Sequence, residues 1–295
     1  MKIKEILEEA RKKLKNNNIE DNGIIAKELL AHIISQNKIY LVINENEELD
    51  DHIAQEFIKK IQEIIDGTPL QYITHNQEFM GLNFYVDKNV LIPQPDTEIL
   101  VEQVLDICNK INCKQNNSVA NIIMDSTIKI LDLCTGSGAI AISLKNILKE
   151  KSQIFASDIS TKALKIARKN CEINKSEVTC ITSDLFENIK EKNFNIVVSN
   201  PPYIKTEIIK TLSKQVQNEP MLALDGGQDG LDIYRRIIAE AYKYIQNNGY
   251  LCLEIGYDQK QEVINIFKQY KNYTEINIVK DLSKNDRCVI AKIIR

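Results

Sequence analysis

From Ile128 to Ile293 the chain is a series of short apolar runs separated by helical patterns. No other feature limits its fold as strongly. The runs are Ile128–Leu133, Gln153–Ser157, Val178–Thr182, Phe194–Ser199, Tyr250–Glu254, Tyr273–Val279 and Cys288–Ile293. Strands alternating with helices predict an α/β fold with a doubly wound sheet, and helical patterns are expected between each of the first six runs. Only Lys280–Arg287 separates the last two runs, too short for a helical crossover, so that pair should be antiparallel. The expected sheet has seven strands and ends in an antiparallel pair.

The first part of the chain has a different period. Ile3, Ile6, Leu7, Ala10 and Leu14 recur at helical spacing. Ile24, Ile25, Leu29, Leu30, Ile33 and Ile34 repeat the pattern, as do Ile53, Phe57, Ile58, Ile61, Ile64 and Ile65. Asp66-Gly67-Thr68-Pro69 supplies the chemistry that ends a helix. From Gln71 to Leu91 short alternating runs such as Leu82-Asn83-Phe84-Tyr85-Val86 predict a hairpin. The expected divisions are a small helical domain over 1–70, a β-hairpin linker over 71–92 and the sheet domain over 93–295. Residues 1–90 carry 11 Lys and Arg against 16 Asp and Glu, a net of -5. The leading module therefore does not look like a nucleic-acid clamp.

The whole chain is 43% hydrophobic and 27% charged, enough apolar content to bury a core. Its 7 Cys are Cys108, Cys113, Cys134, Cys171, Cys180, Cys252 and Cys288, an odd number without a C-x-x-C pair. That argues against a disulfide framework and against zinc, and for a reducing, cytoplasmic setting. Acids at Glu5, Glu8 and Glu9 break the apolar run a signal peptide needs, and no run of about 18 uncharged apolar residues predicts a membrane span.

Two strand ends carry chemistry. The first run continues as Asp132-Leu133-Cys134-Thr135-Gly136-Ser137-Gly138-Ala139-Ile140-Ala141, a G-x-G-x-x-A loop opening a helix. Glycines there make a tight turn and admit a ligand close to the backbone. Asp158, 22 residues after Gly136, closes the next strand, where a carboxylate accepts from ribose hydroxyls. Asp184 closes the third, where an adenine amine could be met. This order implies a nucleoside cofactor and leaves open a dinucleotide or S-adenosylmethionine. Asp132 fits a loop or helix capper equally well.

After the fourth run comes Asn200-Pro201-Pro202-Tyr203. Ligands bind at the carboxyl ends of such strands, so Asn200 should face the cofactor. Two prolines stiffen the loop and carry no N–H. The Asn200 side-chain oxygen and the Pro201 carbonyl form two acceptors at fixed separation, which an –NH2 group requires. Tyr203 offers a flat wall to a planar group.

This tetrapeptide resembles the signature of amino-methyltransferases that use S-adenosylmethionine. Further segments are similar to the HemK/PrmC family: Gly67-Thr68-Pro69-Leu70-Gln71-Tyr72-Ile73, Phe79-Met80-Gly81-Leu82-Asn83-Phe84 and Val90-Leu91-Ile92-Pro93-Gln94-Pro95-Asp96-Thr97-Glu98. Later landmarks are Glu219-Pro220, Asp225-Gly226-Gly227-Gln228-Asp229-Gly230-Leu231 with Tyr234-Arg235, Glu254-Ile255-Gly256 and Asp286-Arg287. The resemblance implies a Rossmann-like methyltransferase sheet and S-adenosyl-L-methionine as cofactor, with S-adenosyl-L-homocysteine as product. It implies class I peptide chain release factors as partners, methylated on the glutamine N5 of their Gly-Gly-Gln loop. Cys134, Thr135, Gly136, Ser137, Gly138, Asp158, Asp184, Leu185 and Asn200 would hold the cofactor. Asn200, Pro201, Pro202 and Tyr203 would hold the substrate amide, with Asn200 and Pro201 catalytic.

Cys134 and His75 stand where the family usually has Gly, and Gln94 and Asp96 where it usually has Arg and Glu. Gly226-Gly227-Gln228 repeats the target tripeptide, which fits coincidence within a loop-to-helix turn. The competing readings are an adenine-N6 DNA methyltransferase, an NAD-dependent dehydrogenase and a non-enzymatic scaffold. The first needs a basic target-recognition region, and the second leaves Asn200–Tyr203 unexplained. The third fits the helical module alone.

Overall fold

The computed structural model describes residues 1–116 and 127–295, and it divides them into two units. One unit is Met1–Asn76 with Leu212–Asn218, and the other is Gln77–Thr211 with Glu219–Arg295.

The first unit holds α1 (Ile3–Asn16), α2 (Asn22–Ile33), α3 (Lys38–Ile43), α4 (Asp51–Ile65) and α5 (Leu70–Thr74). Its core draws on Ile3, Ile6, Ala10 and Leu14 of α1, Leu29 and Leu30 of α2, and Phe57, Ile61 and Ile64 of α4. These are the stripes that the spacing predicts. Ile24 is the exception, more than half exposed. Helices α3 and α5 add to the three periodic stretches. Residues 71–74, which read as alternating, are a helical turn instead. Pro69 opens that turn, and His75 closes it in a left-handed conformation at φ 52°.

The second unit begins with a hairpin of β1 (Gln77–Phe79) and β2 (Leu82–Phe84). Met80 and Gly81 both have positive φ, the requirement of a tight two-residue turn. Helix α6 (Pro95–Asn116) follows, with Pro95 at its first position and Asp96 and Glu98 in its first turn. Then come β3 (Ile128–Leu133), α7 (Ala139–Leu148), β4 (Ser152–Asp158), α8 (Thr161–Ile173), β5 (Val178–Thr182) and β6 (Phe194–Ser199). Three single turns follow: α9 (Thr206–Ile209), α10 (Lys214–Gln217, in the first unit) and α11 (Met221–Leu224). The chain ends with α12 (Asp232–Ala241), β7 (Ile245–Glu254), α13 (Lys260–Phe267), β8 (Tyr273–Lys280) and β9 (Asp286–Ile293).

The seven strands order as β5-β4-β3-β6-β7-β9-β8. The strands from β5 to β7 are parallel, and β9 runs antiparallel to both β7 and β8. Side chains alternate across the sheet. Ile128, Ile130, Ile196, Val198 and Cys252 pack with α6 and α7 on one face. Leu131, Leu133, Val197, Leu251 and Leu253 pack with α12 and α13 on the other. One expectation fails: no helix lies between β5 and β6. Residues 183–193 instead make turns pinned by Ser183, whose Oγ accepts from Asn188 N and donates to the Leu185 carbonyl.

Cys108, Cys134, Cys171, Cys180, Cys252 and Cys288 are free thiols. Cys113 lies outside the residues whose side chains are described. Among the described residues no helix is long and apolar enough to cross a membrane.

Candidate active site

From β3 the chain builds outward through β4 to β5, then returns to place β6 on the other side of β3. A crevice opens where the connections diverge, beyond the carboxyl ends of β3 and β6. Leu133 and Ser199 are paired in register, and Ser199 Oγ donates to the Leu133 carbonyl at 2.7 Å. The glycine loop and Asn200 therefore leave the sheet side by side.

The glycine loop is held from beneath and from both sides. Asp132 is fully buried, and one of its oxygens accepts from Thr135 Oγ1 at 2.5 Å. Burial pushes this carboxyl up to about 7. It anchors the loop from inside rather than meeting a ligand. Asp158 accepts from Gly136 N at 2.9 Å and from Ser160 N at 2.8 Å. Burial holds it above the usual carboxylate range. Asn170 of α8 donates to the Ser137 carbonyl at 2.9 Å and exchanges two further bonds with the Tyr85 backbone. Gly136 has φ 54°, and a Cβ there would meet no atom within 4 Å. At Gly138 a Cβ would stand 2.9 Å from Ile142 and 3.3 Å from Ala167, so this glycine permits helix packing.

A cleft of about 380 Å³ lies over this loop. Cys134, Gly136, Asp158, Asp184, Leu185, Asn200 and Pro202 line it, with residues 88–91, Ile159, Ile233 and Arg236. Arg236 pairs with Asp184 at 2.8 Å. Leu185 takes a left-handed conformation at φ 47°. Glu219 is buried and accepts from Ile92 N at 2.8 Å, tying the 88–92 segment to the turn before α11. Burial pushes Glu219 up to about 7.

The Asn200–Tyr203 loop is braced by side chains. Asn200 Nδ2 donates to Thr97 Oγ1 at 3.1 Å, and Thr97 Oγ1 donates to Glu254 at 2.6 Å. Tyr203 OH donates to the other oxygen of Glu254 at 3.3 Å. Glu254 is 2% exposed at the end of β7, and burial pushes it up to about 7 against the pull of Thr97 and Arg287. Arg287 pairs with Asp96 at 2.9 Å and Asp281 at 3.1 Å. Gln259 donates to the Tyr203 carbonyl at 2.9 Å. The Gly226–Gly230 segment presses on the same backbone. A Cβ on Gly226 would lie 2.7 Å from Tyr203 Cα, and one on Gly230 2.5 Å from Tyr203 O. Close packing against Tyr203 thus accounts for Gly226 without appeal to the target tripeptide.

A methyltransferase small domain matches residues 117–218, and a PrmC N-terminal domain matches residues 5–74. The release factor glutamine methyltransferase of Clostridium acetobutylicum is 38% identical over 99% of this chain and 98% of its own length. That of Thermodesulfovibrio yellowstonii is 40% identical over 90% of each. The chain belongs to the release factor glutamine methyltransferase family. A methyltransferase structure from Pyrococcus furiosus shares the fold at TM-score 0.52 and 15% identity, over 80% of this chain and 99% of its own.

The four positions marked from sequence as departures have distinct local settings. Cys134 has φ 57° and His75 φ 52°, both in the left-handed region that glycine occupies freely. A side chain there costs roughly 1–2 kcal/mol. Asp96 keeps a carboxylate for Arg287. Gln94 turns back to its own segment, donating to the Ile92 carbonyl at 3.0 Å.

Of the residues marked from sequence, Thr135, Ser137, Gly138, Pro201 and Tyr203 do not line the cleft. The first three shape the loop, Pro201 is buried and Tyr203 turns its hydroxyl to Glu254. Thr97, Glu219, Glu254 and Arg287 fell within the sequence landmarks but carried no role there. Asn170 gave no signal at all, since a lone polar residue on a helix reads as a solvent-facing one.

Proposed function

We propose that this chain transfers a methyl group from S-adenosyl-L-methionine to the side-chain amide N5 of glutamine in the Gly-Gly-Gln loop of class I peptide chain release factors, in the cytoplasm. One observation carries the reading: Asn200 lines the same cleft as Gly136 and Asp158, with its Nδ2 already tethered to Thr97. The residues fit the cofactor. Gly136 leaves open space, and Asp158 keeps lone pairs beyond those used by Gly136 and Ser160. Those lone pairs can accept from ribose hydroxyls. Leu185, Ile159 and Ile233 offer apolar contact to a purine, and Asp184 an acceptor beside it. When bound, the cofactor supplies an electrophilic methyl group on a cationic sulfur.

The chain's own task is to hold an amide nitrogen in line. That nitrogen is a poor nucleophile because its lone pair is delocalised into the carbonyl. Asn200 Oδ1 accepts one of its hydrogens, and we assign the other to the main-chain carbonyl of the adjoining Pro201, although that residue is itself buried outside the cleft lining. The two acceptors fix the orientation of the amide and stabilise the positive charge that builds on it. No histidine follows His75, and no strong base is required, because the proton can leave after transfer. The net charge of -5 over residues 1–90 suits docking of that leading stretch on a basic face of the partner.

The test is mass spectrometry after incubation with S-adenosylmethionine and equal amounts of release factor and adenine-containing DNA. A gain of one methyl on the Gly-Gly-Gln glutamine is expected. Methylated adenine with an unmodified release factor would overturn the reading.

A further inference from the structure

We infer that Thr97 and Glu254 form a hydrogen-bond relay that sets which way round the Asn200 carboxamide faces, and that both are positioning residues for methyl transfer. The inference rests on the function proposed above.

The two ends of a carboxamide are nearly identical in size but opposite in hydrogen bonding. If Nδ2 faced the substrate amide, two N–H donors would oppose each other. Something must therefore break the tie. Glu254 does not reach the cleft, and neither does Thr97. Ionised Glu254 can only accept, so Thr97 must spend its single proton on Glu254, across 2.6 Å. Thr97 Oγ1 then turns a lone pair toward Asn200. Only Nδ2 satisfies a lone pair, and it does so at 3.1 Å. Oδ1 is thereby directed to the other side. A reversed carboxamide would set oxygen against oxygen at Thr97.

The remote end of the relay is itself fixed. Tyr203 OH occupies the second oxygen of Glu254. Tyr234 OH donates to the Glu254 main-chain carbonyl at 2.9 Å. The charged and titratable groups facing Glu254 are Arg287 and Cys288 on β9, Asp96 on α6, Tyr203 after β6 and Tyr234 on α12. Protonated Glu254 could donate to Thr97 and free the Thr97 proton to point at Asn200, which favours the reversed carboxamide. Burial brings that protonation to about 7. The correctly turned Asn200 is then the form favoured above that pH.

The experiment compares wild type, Thr97→Val and Thr97→Ser in steady-state methylation of release factor, with calorimetry of S-adenosylmethionine binding. Valine matches the shape of threonine without the hydroxyl, and serine restores the hydroxyl. Thr97→Val should lower kcat on the order of tenfold, by analogy with the partners that orient metal ligands from behind. Its cofactor affinity should hold, and its kcat should lack the rise through about pH 7 that the relay predicts for the wild type. Thr97→Ser should retain most of kcat and the rise. NMR supplies a readout free of turnover: the Asn200 Nδ2 hydrogens should exchange slowly in wild type and Thr97→Ser, and quickly in Thr97→Val. Wild-type kcat in Thr97→Val, or an equal loss in Thr97→Ser, would overturn the relay. A wild-type protein with slow Asn200 exchange that leaves the release factor unmodified would instead overturn the function on which it rests.

Discussion

The glycine loop and the Asn200–Tyr203 loop leave neighbouring strands at one end of the sheet, yet they are held by different means. The glycine loop is gripped through its main chain. Asp158, Ser157 and Asn170 bond Gly136 N, Thr135 N and the Ser137 carbonyl. The Asn200 loop is gripped largely through side chains, in a network running from Asn200 through Thr97 and Glu254 to Tyr203. A loop that has only to leave room can be fixed by its backbone. A loop that must present a carboxamide one way round needs partners with defined donors and acceptors, and these couple to ionisation.

The largest expected effect lies on the Asn200 side. Asn200→Ala should lower turnover roughly 10²-fold or more, as loss of a group that stabilises transition-state charge does. Any loss of cofactor affinity, since Asn200 also lines the cofactor cleft, should be smaller than the loss of rate, and single-turnover kinetics beside calorimetry separate the two. Normal turnover would erase the distinction between the loops. Asp158→Ala should act in the opposite sense, weakening cofactor binding by on the order of 1.5–3 kcal/mol while sparing the rate at saturation. Unchanged affinity by calorimetry would remove Asp158 from the site.

Glu219 probes another wall of the cleft, the 88–92 segment that it ties down. Its folded value is raised to about 7, so the neutral form is favoured in the native state. The stability this gives is present below the ordinary glutamate value and is lost as pH rises through about 7. Glu219→Gln keeps an acceptor for Ile92 N and removes the charge. It should raise stability at pH 8 by up to about 3 kcal/mol and leave it unchanged at pH 4, in thermal unfolding. An equal gain at both pH values would show that charge is irrelevant there. The smallest effect belongs to Cys134→Gly. Relief of left-handed strain is offset by glycine's backbone entropy and lost packing, so stability should shift by less than about 1.5 kcal/mol. A larger loss in urea unfolding would mean that the thiol's packing, not its backbone, dominates.

Much of the fold was legible because its signals are local. Short apolar runs marked every strand of the large sheet, and the short Lys280–Arg287 link gave the antiparallel end. Helical stripes marked the core of α1, α2 and α4. The errors were local too. Residues 183–193 lack a helix because Ser183 ties them into turns, and residues 71–74 coil because Pro69 restarts a helical turn. The cleft was legible in part: Cys134, Gly136, Asp158, Asp184, Leu185, Asn200 and Pro202 line it, whereas Tyr203 turns away to Glu254.

By itself the sequence determined the alternation of strand and helix, the glycine loop, the acids that close the strands and the stiff Asn-Pro-Pro-Tyr turn. Each depends on residues within a few positions of one another. Only the tertiary structure decided which side chains meet. Asn200 and Thr97 are 103 positions apart, Thr97 and Glu254 157, and Ile92 and Glu219 127. Their pairing depends on the order in which strands assemble. A hydrogen bond of about 3 Å tolerates little error in that order. Local patterning names the elements, but the packing of the sheet sets distances between residues so far apart in the chain.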